Sequence, residues 1–161
     1  YPNGFDVVLH TSDIDRMLEM ALAFKESVAA AGIRVEVSKD DADTYREEFW
    51  MDPCCPFVAS SWGARGAHEA LDVQLRSHGV WNESYYNNPR LDSLLDRAAT
   101  EGDFFRRKGY YREIQEILIE DVPVLYLMYT PEIVAHRNRV KGVRAHPGPA
   151  RTFVEDWWID E

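Results

Sequence analysis

The residues whose chemistry suits ligand binding are concentrated in one short loop. Trp62 and Arg65 lie in the stretch SSWGARGA, which otherwise consists of Ser, Gly and Ala. An indole can stack on a sugar ring, a planar group or an aliphatic chain, and a guanidinium can hold a carboxylate or phosphate through two parallel hydrogen bonds. Glycines on either side of Arg65 would let backbone N–H groups approach a ligand closely. The stretch predicts a small-molecule site formed by Ser61, Trp62, Gly63, Ala64 and Arg65.

Each of the two large side chains also has an ordinary structural interpretation. Trp62 could pack in a core or at a hinge. Arg65 could form a surface ion pair with Glu69, four residues along the chain. Both interpretations stay open at the level of sequence.

Catalytic and metal-binding patterns do not emerge from the sequence. The five histidines are scattered, and His68 with Glu69 lacks the second histidine of a zinc peptidase motif. There is no G-x-S-x-G turn, no P-loop and no G-x-G-x-x-G motif. The adjacent Cys54 and Cys55 are interpreted as small apolar residues rather than a redox pair, and their oxidation state stays open. We therefore expect no catalytic residue, no metal and no cofactor.

Composition limits the classes of partner. The chain has 161 residues, the size of one domain, and a formal net charge of −10. That charge argues against nucleic acid or an anionic membrane as a general partner. No apolar run approaches the ~20 residues of a membrane span. The chain starts at Tyr1 without an initiator Met, and we expect it to be a piece of a longer protein.

The elements that position the loop follow an α/β pattern. Residues 5–10 and 33–37 are predicted strands that flank a helix ended by Gly32, which makes a βαβ unit with parallel strands. Residues 41–50 are a predicted acidic helix, and 57–60 are a third strand. Ligands of open α/β sheets bind beyond the carboxyl ends of strands, where the SSWGARGA loop is expected to lie.

The second half of the chain is predicted to be mainly helical. A helix over 67–77 leads into an aromatic loop, and the next helix starts at Pro89 with Asn88 as its cap. The long helix after Asp103 is expected to bury one face, made of Phe104, Tyr111, Ile114, Gln115 and Leu118. A buried strand, VPVLYLMYT, follows, and EIVAHR and VKGVRAH are two predicted edge strands.

The order of these segments resembles a known family. NNPRLDSLLDRA followed by YREIQEILIEDVPVL is specific, and YPNGFDVVL, ALAFKESVAAAGIRVEV, SSWG and VKGVRAHP occur in the same order as in the family. Together they resemble the C-terminal lobe of the family 5 extracellular solute-binding proteins of ABC importers, which bind dipeptides, oligopeptides or nickel. The resemblance covers almost all of residues 1–147.

The resemblance implies an α/β lobe, with a mixed sheet and flanking helices, of a bilobed type II periplasmic-binding-protein-like fold. Residues 1–139 would form the ligand-binding lobe. Residues 140–161 would return to the missing N-terminal lobe, on which Trp157 and Trp158 would pack. The implied partners are a small solute, that lobe and the permease subunits. No nucleic acid is expected, and the membrane is met only through the permease or an anchor outside this chain. The implied location is the periplasmic or extracellular face of the cell membrane.

The resemblance also implies a ligand-binding role for Arg65. In peptide-binding members an Asp at this distance from the strand-end Trp pairs with the peptide α-ammonium. Arg65 reverses that charge and would attract an anion. The expected ligand is therefore a small peptide-like, opine-like or sugar-conjugate solute with an anionic group facing Arg65. Further candidates for the ligand face are Tyr45, Trp81 and Asn82.

Two alternatives belong to other functional classes. A hydrolase or transferase domain would use His68 or a carboxylate and requires a clustered acid–base pair at one strand end. A stand-alone carbohydrate-binding module would rely on its tryptophans and requires an aromatic platform on a complete surface.

Overall fold

The computed structural model describes residues 2–55, 57–131, 133–146 and 153–160. These residues form two compact units. The first comprises Tyr1–Ser61 and Gly66–Leu127, and the second comprises Trp62–Arg65 and Met128–Glu161.

The first unit begins with the βαβ arrangement that the alternating and helical patterns predict. Strand β1 (Phe5–Thr11) pairs in parallel with β2 (Ile33–Lys39), and helix α1 (Met17–Ala29) connects them. Gly4 and Gly32 both have positive φ where the chain enters β1 and β2. Leu9, Val35, Met17 and Ala21 are buried in one core cluster with Tyr45 and Ala59.

The predicted acidic helix forms, but it changes from an α-helical to a π-helical turn along its length. Asp41 caps helix α2 (Ala42–Thr44), because its carboxylate accepts hydrogen bonds from two backbone N–H groups of that turn. The chain continues as a π-helical turn, Tyr45–Phe49. The predicted third strand over 57–60 is reduced to a single parallel bridge between Val58 and His10.

Three helices complete the first unit. They are α3 (Ala67–Leu75), α4 (Pro89–Thr100) and α5 (Phe104–Asp121). The Asn88 side chain caps α4, as predicted, and the Asp103 side chain caps α5, where the sequence had predicted the start of the helix. The helices share a second core cluster, formed by Leu91, Leu94, Leu95, Ile114 and Ile117.

The predicted inner face of α5 is partly wrong. Phe104 is 60% exposed and Gln115 is also exposed, whereas Ile117, which was not predicted, is buried beside Ile114. The buried positions are those that pack on α4, and they form a narrower stripe than the sequence pattern indicates.

The predicted strands after α5 are mostly wrong as well. VPVLYLMYT does not form a buried strand, and Tyr126 and Tyr129 are 63% and 94% exposed. The described part of EIVAHR, which excludes Glu132, contains no strand. Within VKGVRAH only β3 (Val140–Lys141) forms, and it pairs antiparallel with β4 (Trp158–Ile159). A strand forms only where a partner strand is available, and of these three segments VKGVRAH is the one for which the described residues contain such a partner, β4.

The α/β class with flanking helices is confirmed. The expected single mixed sheet is replaced, in the described residues, by two two-stranded sheets, of which β1–β2 is parallel and β3–β4 is antiparallel. Residues 147–152 and 161 of the expected return segment lie outside the described residues. Among the helices that the structure describes, none combines the length and the apolarity needed to cross a bilayer.

Candidate functional site

The backbone of Ala59, in the segment 57–60 that precedes the candidate loop, is hydrogen-bonded through both its N–H and its carbonyl. The Ala59 N–H donates to the His10 carbonyl at 2.9 Å, and the Ala59 carbonyl accepts a 2.6 Å hydrogen bond from the Tyr45 hydroxyl. Tyr45 is buried, and burial, followed by the nearby charge of Glu83, raises its pKa well above the ordinary value. The hydroxyl thus stays protonated as a donor, and Tyr45 supports the backbone from which the candidate loop departs.

Trp62 and Arg65 form a pair within the second unit. The Arg65 guanidinium carbon lies 4.5 Å from the centre of the Trp62 ring, which is the geometry of a cation–π contact. Trp62 is half-buried and Arg65 is exposed. Stacking uses the face of the guanidinium and so orients the group on the indole.

The small residues of the loop are exposed. Ser61, Gly63 and Ala64 are all solvent-accessible, and residues 61–66 form no helix or strand. Gly66 lies immediately before α3 with ordinary extended angles, and a Cβ there would meet nothing within 4 Å. The fold therefore does not require glycine at 66.

A carboxylate that the sequence analysis did not select is hydrogen-bonded to Ser60, the residue before the candidate loop. Glu83 accepts a 2.6 Å hydrogen bond from the Trp50 indole N–H and another of 2.6 Å from the Ser60 hydroxyl. Trp50 in turn stacks on Trp81, with 5.3 Å between ring centres and 18° between planes. The local sequence offered one clue, an acidic residue directly after the Trp-Asn pair of an aromatic loop.

Asn82 lies inside that loop rather than on its surface. Its side chain is 4% exposed, and its amide nitrogen donates to the carbonyls of Arg76 and Tyr86 at 3.0 and 2.7 Å. Its amide oxygen accepts from the Tyr86 N–H and the Ser84 hydroxyl, both at 3.1 Å. This environment favours a structural role, and ligand binding by Asn82, as by Trp81 and Tyr45, stays a prediction.

Among the described residues, His68 is not paired with an acid, as the enzyme alternative would require. Its ring meets Tyr111 edge-on at 6.3 Å, and its buried Nδ1 has no hydrogen-bond partner among the described residues. His10 does approach a carboxylate, with Nδ1 3.3 Å from Asp40 Oδ2, while its ring stacks on Phe49 at 3.9 Å. A second acid or a nucleophile placed for joint action would be needed for catalysis.

The cysteines and acidic residues show no metal-site geometry. Cys54 and Cys55 are free thiols, and burial raises the pKa of Cys55, which makes its thiolate less accessible. Within the ranges that the structure describes, no three His, Cys, Asp or Glu side chains are grouped so as to hold a metal ion.

Comparison with known proteins identifies the relatives of this chain. No family model matches it. The glutathione-binding protein GsiB of Escherichia coli K12 and that of Shigella dysenteriae are both 24% identical to it over an alignment of 166 residues, which includes 96% of this chain and 32% of theirs.

Solved structures give the same result for the fold. The clavulanic acid biosynthesis oligopeptide binding protein 2 matches 99% of the chain with a TM-score of 0.82 at 22% identity. DppA of Helicobacter pylori, in complex with the peptide STSA, matches 100% with a TM-score of 0.81 at 24% identity. NikA of Staphylococcus aureus, in complex with Ni(L-His)2, matches 98% with a TM-score of 0.77 at 19% identity.

The homologues and structural neighbours of this chain are family 5 solute-binding proteins. The resemblance inferred from the segment order is thereby confirmed, as is the α/β fold of these bilobed proteins. The chain spans about a third of the length of the relatives and structures that it matches. These relatives are binding proteins rather than enzymes.

Proposed function

We propose that this chain is the solute-binding part of an ABC importer. The observation that carries the proposal is the similarity to a glutathione-binding protein over 96% of the chain. The solute would be captured at the periplasmic or extracellular face of the membrane and delivered to permease subunits. The chain would bind and release the solute without catalysis.

The same proposal assigns different roles to two parts of the chain. Residues 1–139 would supply one wall of a ligand cleft, and residues 140–161 would return to the other lobe of the same protein. Closure of two lobes about a hinge encloses a ligand between them. Each lobe then contributes only part of the contacts, so strong binding requires both.

The proposed ligand is a small peptide-like, opine-like or sugar-conjugate solute with an anionic group facing Arg65. Support comes from the exposed guanidinium stacked 4.5 Å above Trp62. A guanidinium oriented in this way can make two charge-assisted hydrogen bonds to one carboxylate. Glutathione, the ligand that the GsiB relatives are named for, is a small peptide with two carboxylates and is the first probe to use.

The test compares Arg65 variants of the full-length protein by calorimetric titration with glutathione. Arg65→Ala should weaken binding by roughly 10- to 100-fold, because about 1.5–3 kcal/mol is associated with hydrogen bonds to a charged group. The affinity of Arg65→Lys should lie between those of the wild type and Arg65→Ala, since an ammonium keeps the charge and loses the bidentate geometry. Thermal-shift screens with trialanine, an opine and a sugar phosphate would extend the ligand range.

Arg112→Ala is the matched control. Arg112 is an exposed arginine on α5 that pairs with Glu116 at 3.1 Å, and its loss should leave the affinity for glutathione unchanged. If a bound anionic probe is held equally well by Arg65→Ala, Arg65 is only a surface residue and the proposed polarity of the site is incorrect.

A further inference from the structure

Glu83 connects three segments that are far apart in sequence. Its two carboxylate oxygens accept hydrogen bonds from Trp50, 33 residues before it, and from Ser60, 23 residues before it. Both donor–acceptor distances are 2.6 Å, which is ordinary for a hydroxyl bonded to a carboxylate and short for an N–H donor. The side chain is half-buried, so these bonds are partly shielded from water.

The Ser60 bond extends an anchored stretch of backbone. Ala59 is already fixed through its N–H by His10 and through its carbonyl by Tyr45. Ser60 is the next residue, and Ser61 begins the candidate loop. Because successive Cα atoms are separated by a fixed ~3.8 Å, immobilising Ser60 restricts where the loop leaves the strand end.

The Trp50 bond orders the aromatic side of the same region. The indole N–H is a donor only, and Glu83 supplies its acceptor. With that bond formed, Trp50 lies nearly parallel to Trp81 at 5.3 Å. One carboxylate therefore fixes both the start of the loop and the indole pair beside it.

We propose that Glu83 is a positioning residue that holds the base of the ligand-binding loop 61–66 in place. This inference rests on the proposed function, because it assigns Glu83 to the preorganisation of that binding site. Preorganisation favours affinity, since the cost of ordering the loop is met in folding and not on binding.

The chemistry of the two donors predicts which substitution is tolerated. In Glu83→Gln the amide oxygen can still accept from Trp50, and the amide nitrogen can donate to Ser60, whose hydroxyl also accepts. Glu83→Leu removes both bonds at similar size. The conservative variant should therefore preserve the loop, and the apolar variant should release it.

The experiment measures hydrogen exchange of the loop peptide in the full-length protein, together with circular dichroism and titration with glutathione. In the peptide that spans Ala59 and the loop, Glu83→Leu should speed exchange of the Ala59 amide, which the His10 carbonyl protects, by about tenfold or more. It should also abolish the coupled indole band of Trp50 and Trp81 and weaken glutathione binding by about tenfold. Glu83→Gln should stay close to the wild type in all three measurements, and so should Glu116→Leu, a control on α5.

Several results would overturn the proposal. One is an unchanged rate of hydrogen exchange in Glu83→Leu. Another is an equal increase of that rate in Glu83→Gln and Glu83→Leu. A third is an unchanged affinity for glutathione in a variant whose exchange is faster. If the wild type does not bind glutathione, that ligand assignment fails and the exchange and dichroism data alone decide the role of Glu83. If Glu83→Leu does not fold, Ser60→Ala removes one bond and should give a smaller increase in exchange.

Discussion

The side-chain amide of Asn82 organises the aromatic loop that carries Trp81 and Glu83. All four of its hydrogen-bonding contacts are made within the stretch from Arg76 to Tyr86. A buried amide that is fully bonded stabilises one loop conformation, because each alternative leaves a polar group without a partner.

Replacement of this amide should destabilise the protein. In Asn82→Ala the Tyr86 N–H and the carbonyls of Arg76 and Tyr86 lose their partner, and we expect the free energy of unfolding to fall by about 2–4 kcal/mol. Urea denaturation of the full-length protein measures the change. Asn87→Ala is the control, because Asn87 is exposed and accepts only a 3.3 Å bond from Ser77 among the hydrogen bonds described. Weaker ligand binding with unchanged stability would instead assign Asn82 to the ligand face.

At the scale of elements, two glycines fix the junctions of the βαβ unit. Gly4 has φ of +71°, and a Cβ there would lie 1.8 Å from the carbonyl oxygen of Gly32. That carbonyl accepts from the Phe5 N–H at 3.2 Å, where β1 starts beside β2. The close approach of the two backbones therefore sets the start of the parallel register.

Two alanine substitutions should have opposite effects on stability. Gly4→Ala combines a left-handed φ with a backbone clash and should cost about 3 kcal/mol. Gly109→Ala lies inside α5, where a Cβ meets nothing within 4 Å, and should stabilise the protein by about 0.5–1 kcal/mol. Thermal unfolding of the full-length variants distinguishes them. A neutral Gly4→Ala would mean that the β1–β2 junction can move apart at little cost.

At the scale of the whole molecule, large apolar side chains remain exposed after α5. Trp157 and Trp158 are 40% and 55% exposed, and Tyr129 is more exposed still. Exposed apolar groups concentrated in this way are typical of interaction surfaces. They agree with the proposal that the return segment packs on the other lobe.

Fluorescence quenching tests that packing in the full-length protein. If the other lobe covers Trp157 and Trp158, replacing either with Phe should leave the intensity of the acrylamide-quenchable emission unchanged. The quenchable fraction should then rise slightly, because a covered indole contributes only to the total emission. The melting temperature of each variant confirms that it is folded. A clear fall in the quenchable fraction would show that these tryptophans face solvent and would contradict the packing proposal.

Local interactions were determined by the sequence itself. β1, α1 and β2 follow from alternation and helical spacing, and the caps at Asn88 and Asp103 follow from side chains that bond within three residues. The segment order was also sufficient to indicate the family. In each case the information lies within a short stretch of chain or in the succession of such stretches.

The tertiary structure alone decided the features that depend on distant partners. The segment over 57–60 keeps one bridge, and VPVLYLMYT forms no strand, because a strand needs a neighbour that its own sequence does not specify. The hydrogen bonds of Glu83 could likewise not be predicted from the sequence, since its donors lie 33 and 23 residues away. Composition and periodicity encode which residues prefer burial, but hydrogen bonds across such separations arise only when the folded chain brings the groups together.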